Sequence, residues 1–158
     1  MSVLVYAESW GGSFRKSTYE AVSYASETAK LLRTDVIALT FGNESDDELL
    51  KLENYGANKV LTTSGIEKGD SKAATDLFSA NCSDANMIVF PSTYTSKMIA
   101  PRLAAKLVPK LKDVSPYRWI VLSLELDSYL PAKSISYGLF LVLMKYDTDL
   151  PYASDDGR

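Results

Sequence analysis

Histidine is absent from the 158 residues of this chain, and cysteine occurs once. Without an imidazole, the chain alone cannot assemble a Ser–His or Cys–His nucleophile pair or a histidine-ligated metal site. A self-contained hydrolase or metalloenzyme is therefore disfavoured, and no catalytic residue or metal ligand is assigned. The lone Cys82 cannot form an internal disulfide; it falls on the apolar side of a predicted helix and reads as a small buried residue. No apolar run approaches the roughly 20 residues of a membrane span. The amino terminus enters a strand without a basic and then apolar leader. Membrane insertion is not expected, and the cytoplasm is the default compartment. Basic excess is also lacking: 17 Lys and Arg stand against 20 Asp and Glu. Nucleic acid is thus not an expected partner, because phosphate neutralisation needs clustered cations. The short cluster Lys106 to Lys112 reads as a solvated helix end. Complete glycine-rich phosphate motifs are missing as well, and Gly11-Gly12 reads as a flexible loop between strand and helix.

What is present fits one domain with a packed core, since 46% of residues are hydrophobic. Short apolar runs at Val3–Ala7, Val36–Phe41, Lys59–Thr62 and Met87–Phe90 alternate with helical patterns. The first helix is predicted over Ser17–Leu32, with Val22, Ala25, Ala29 and Leu32 as its buried stripe. Ser45-Asp46-Asp47-Glu48 has the spacing of a capping box, which accounts for all three acids without a catalytic role. Gly56 stands where a left-handed helix end is wanted. Asp70 or Ser71 caps a helix whose inner face is Ala74, Leu77, Phe78 and Cys82. A fourth helix is predicted from Ser96 to Leu107, with Ile99, Leu103 and Leu107 in the core. Continuous apolar strands alternating with helices predict an α/β fold: a doubly wound parallel sheet with helices on both faces and an irregular carboxyl-terminal tail.

Ligands of such sheets sit at the carboxyl ends of strands. This directs attention to Ser92-Thr93-Tyr94-Thr95-Ser96-Lys97, which follows the fourth strand. Hydroxyls, a phenol and a cation meet there at a helix amino terminus, where anions are favoured. Ordinary capping and loop polarity is one reading; contact with a ligand or partner is the other. Pro101 is expected about one turn into the helix, where a missing N–H costs little. Arg102 points away from the core stripe, as a solvated charge or an interdomain contact.

Val3-Leu4-Val5-Tyr6-Ala7-Glu8 with Phe14-Arg15-Lys16, then Tyr55-Gly56-Ala57-Asn58-Lys59-Val60, then Ala100-Pro101-Arg102-Leu103-Ala104-Ala105-Lys106-Leu107 resemble, in this order, the amino-terminal domain of the electron transfer flavoprotein alpha subunit. The resemblance covers residues 1–107. It implies a fold like that of adenine-nucleotide alpha-hydrolase and universal-stress domains. It implies a heterodimer with a beta-type subunit, carrying electrons from flavin dehydrogenases to a quinone oxidoreductase or another acceptor. FAD is the implied redox cofactor, held mainly by a second, carboxyl-terminal domain that this sequence does not contain. No FAD-binding residue carries over to this chain, so FAD binding by the chain alone is not expected.

Beyond Val108 the resemblance stops. The abrupt change leads to the expectation of a truncated, frame-shifted ending over 108–158; a divergent tail that adds one or two strands is the alternative. In either case the apolar run Leu139 to Met144 needs a sheet or a partner to cover it. Three functions compete: a heterodimer scaffold, a stand-alone nucleotide-binding domain of the universal-stress kind, and a non-functional fragment.

Overall fold

The computed structural model describes residues 1–67, 69–111, 117–125 and 139–147. Strand β1 (Ser2–Tyr6) is buried throughout and is the spine of the sheet. A small hairpin, β2 (Ser9–Trp10) and β3 (Ser13–Phe14), leads into α1 (Lys16–Leu32) and β4 (Asp35–Phe41). Next come a short helix α2 (Asp46–Leu50), a 3-10 turn (Glu53–Tyr55), β5 (Lys59–Thr63), α3 (Ser71–Asn81), β6 (Ala85–Pro91) and α4 (Tyr94–Leu111). Two further strands, β7 (Tyr117–Glu125) and β8 (Leu139–Asp147), follow.

The sheet order is β5-β4-β1-β6-β8-β7. The strands from β5 to β6 run parallel, while β8 is antiparallel to β6 and to β7. Successive side chains alternate between the two faces of a strand, so each strand feeds two cores. Val3, Val5, Val36, Ala38 and Val89 pack under Ala21, Val22, Ala25 and Ala29 of α1. Leu4, Tyr6, Leu39, Ile88 and Phe90 pack under α3 and α4, with Phe78, Ile99 and Leu103 fully buried. The alanine face lets α1 lie close to the sheet. Helices therefore cover both faces, as the sequence pattern predicts.

Several details differ from that pattern. Leu32 is 48% exposed rather than part of the buried stripe. It is the last residue of α1, immediately before the left-handed Arg33 that ends the helix. Helix α4 starts at Tyr94, two residues earlier than expected, because Thr93 supplies the cap. Pro101 consequently lies about two turns inside the helix rather than one. The loop containing Gly11 and Gly12 is a tight hairpin, not an open connection. The run Leu139 to Met144 lies in β8, with its backbone paired to β6 on one side and β7 on the other.

Asp70 caps α3 as the sequence suggests, accepting hydrogen bonds from the N–H groups of Lys72 (3.1 Å) and Ala73 (2.9 Å). Asp70→Ala is expected to lower stability by about 1 kcal/mol, measured by urea denaturation at neutral pH. No described helix is long and apolar enough to cross a membrane.

Candidate functional site

The chain winds outward from β1 to β4 and β5, then returns to place β6 on the opposite side of β1. The connections leaving β1 and β6 therefore depart in opposite directions, which opens a crevice at the carboxyl ends of those strands. Its volume is about 610 Å³, and its lining includes Glu8, Trp10, Arg15, Thr18, Thr93 and Tyr94.

One wall is built from the β2–β3 hairpin. A two-residue turn matching the twist of its strands needs positive φ at both central positions, and glycine supplies it at least cost. Gly11 has φ 59° and Gly12 φ 79°. The turn pairs Ser9 with Phe14 and Trp10 with Ser13. It leaves Trp10 58% exposed, with the Arg15 guanidinium 4.6 Å above the indole ring. That spacing is a cation–π contact.

The hairpin is fixed from below. The Phe14 N–H donates to Glu48 Oε1 at 2.8 Å, and the Tyr19 hydroxyl donates to the same oxygen at 3.3 Å. Lys51 pairs with the other carboxylate oxygen. The capping-box expectation is half met. Ser45 Oγ accepts from the Glu48 N–H at 3.3 Å, but the Glu48 carboxylate turns to Phe14 instead of back to Ser45. A buried backbone N–H with no strand partner is the more demanding donor. Hydrogen bonds from Lys51 and Phe14 hold the Glu48 carboxyl below its ordinary pKa. On the floor, the buried Thr18 hydroxyl donates to the Glu8 carbonyl at 2.6 Å, tying α1 to the end of β1. Burial, reinforced by Glu8 and Glu44, pushes the Tyr6 phenol pKa upward and keeps it neutral.

The opposite wall is the start of α4. Thr93 Oγ1 accepts from the Ser96 N–H at 3.2 Å and lies 2.9 Å from the Ser96 hydroxyl. Of the six loop residues singled out in the sequence, Thr93, Tyr94 and Thr95 line the crevice. Ser96 is fully buried against its cap, Ser92 is half-buried and Lys97 is exposed, and none of these three lines it. Tyr94 is 80% exposed. Arg102 is exposed farther along α4. Sequence reasoning missed the facing wall, Trp10 and Arg15. The available signal was Gly11-Gly12 flanked by Ser9-Trp10 and Ser13-Phe14, a hairpin pattern rather than a loop. Among the described residues no group of three or more Asp, Glu, Cys or His side chains is placed to hold a metal ion.

Comparison with known proteins agrees with this architecture. The family model described as the electron transfer flavoprotein domain matches residues 3–114. That span runs from β1 past the end of α4 and contains both walls of the crevice. No curated protein matches the chain. With most of its length matched by that model, the chain belongs to the electron transfer flavoprotein domain family.

Proposed function

We propose that residues 1–107 are an alpha-subunit-type amino-terminal domain that acts as a scaffold, pairing with a beta-type subunit in an electron carrier. In that complex, flavin dehydrogenases supply electrons and a separate acceptor receives them. The observation that carries this reading is the crevice at the centre of the matched region. It stands where an α/β sheet would present a dinucleotide, yet the glycines that follow β1 do not line it.

The pyrophosphate of FAD needs close backbone approach, which glycines allow at the first turn after β1. Here a hairpin separates β1 from α1, and its Gly11 and Gly12 sit in the turn. They line a different hollow, with Tyr6 and Gly42. The crevice itself presents Trp10 and Arg15 on one side and Thr93 and Tyr94 on the other. The crevice therefore lacks glycines from the turn after β1 that would let a pyrophosphate approach the backbone, in keeping with a flavin held by another part of the assembly.

The purified chain is expected to be colourless and to form a complex when co-expressed with a beta-type subunit. Visible flavin absorbance at one FAD per isolated chain would overturn the scaffold reading. A second reading, a stand-alone mononucleotide site, draws support from the same crevice, because the first turns of α1 and α4 both border it. Calorimetry of the isolated chain with ATP and AMP separates the two. Micromolar binding favours the nucleotide site, and absence of heat favours the scaffold.

A further inference from the structure

We infer that Trp10, Arg15 and Tyr94, on the rim of the crevice, anchor the beta-type partner by receiving a protruding partner loop. That loop carries a carboxylate beside an apolar side chain. The inference rests on the heterodimer reading above.

Single exposed apolar residues are ordinary on a protein surface. A tryptophan, an arginine and a tyrosine on one concave patch are different, since these residue types dominate binding hot spots. Trp10 is 58% and Tyr94 80% exposed, from opposite walls of the same crevice. Stacking on Trp10 holds the Arg15 guanidinium in place, so little of its freedom remains to be lost on binding. Among the described residues no carboxylate pairs with Arg15.

The partner's charge follows from the helix ends. Arg15 is the N-cap residue of helix α1, which has no side-chain cap and no acidic residue in its first turn. Helix α4 also lacks an acidic residue in its first turn. Both positive dipole ends border the crevice, so an incoming carboxylate is favoured over Arg15. Among the described residues Glu8 is the one acidic side chain in the lining, and it is 8% exposed. A volume of about 610 Å³ admits a few side chains of a loop. The rim aromatics, which project more than the floor, favour a macromolecular occupant over a small anion.

The test co-expresses the full chain with a beta-type subunit and measures affinity for Trp10→Ala, Arg15→Glu and Tyr94→Ala, with Arg102→Glu as a comparison on exposed α4. Circular dichroism verifies folding of each variant. Trp10→Ala and Arg15→Glu are each expected to weaken the complex on the order of 30-fold, the loss typical of a hot-spot residue. Arg102→Glu should change it less than about threefold. If the wild type forms no complex with a beta-type subunit, the heterodimer reading falls and this inference with it. If the wild type forms one and folded Trp10→Ala and Arg15→Glu bind equally well, the inference alone is overturned. Saturable AMP or phosphate binding that Arg15→Glu abolishes makes the crevice a small-ligand site and also overturns it. Should a variant fail to fold, amide hydrogen exchange on the wild type decides. Protection of residues 9–16 and 92–97 on complex formation supports the anchor, and its absence refutes it.

Discussion

Glu48→Ala is expected to unfold with about 3 kcal/mol less stability than the wild type, read from urea melts at neutral pH. Three donors converge on this carboxylate: the Phe14 N–H, the Tyr19 hydroxyl and the Lys51 ammonium. Hydrogen bonds to a charged acceptor contribute about 1.5–3 kcal/mol each, and stranding a buried N–H adds its desolvation. The effect is not local to α2. Phe14 closes the β2–β3 hairpin, so losing its acceptor loosens the wall that carries Trp10 and Arg15. Glu48→Gln keeps the shape and removes the charge, and an intermediate loss is expected.

The pH dependence has a definite sign. Glu48's folded-state pKa lies below its ordinary value of 4.5. Its ionised form therefore stabilises the fold at pH above that ordinary value, and the contribution is lost as pH falls through the lower, folded-state value. Wild type and Glu48→Gln should differ fully at neutral pH and converge only as the pH falls through the lowered, folded-state value. A difference unchanged across that range would show that the carboxylate's charge is not what holds the hairpin.

Gly56→Ala is the second substitution with a large expected effect, about 2–3 kcal/mol. Two causes add. Gly56 ends the 3-10 turn with φ 101°, and a side chain in the left-handed region costs about 1–2 kcal/mol. A Cβ there would also meet the Ser26 side chain on α1. Gly11→Ala gives the cost of an ordinary left-handed φ of 59° with nothing within 4 Å of the added carbon. The excess of Gly56→Ala over Gly11→Ala then contains the contact with Ser26 together with the added strain of φ 101°. Ser26→Gly should relieve part of it in a double-mutant cycle, giving a favourable coupling between the two sites. Additive effects would refute the close approach. The packing at stake includes Tyr19 and Tyr55, whose stacked rings lie 4.3 Å apart beside this turn.

Most of the fold was legible because it is written in local patterns. Continuous apolar runs mark β1, β4 and β6, since burial on both faces removes any polar alternation. Asp70 and Gly56 announce helix ends through side-chain chemistry and backbone freedom that act within a few residues. The site was harder to read. Thr93 and Tyr94 were visible as a polar loop after a strand, but Ser96 was indistinguishable from its neighbours until its hydroxyl met Thr93. Trp10 and Arg15 became part of the crevice only when the hairpin folded across the end of β1. Glu48 was misread for a similar reason. Its local cap partner competes with a donor 34 residues away, and sequence spacing says nothing about that donor.

The central position of β1 also dictates the order of events during synthesis. Strand β1 leaves the ribosome well before the neighbours it needs: Ser2 aligns with Asp35, and Val3 with Met87. At about 5–20 residues per second, its second neighbour emerges several seconds after it does. Until then Val3, Leu4, Val5 and Tyr6 lie in a strand with one edge unpaired. In nascent chains of this topology β1 thus waits unpaired on one side, and native contacts of high sequence separation make the final closure slow.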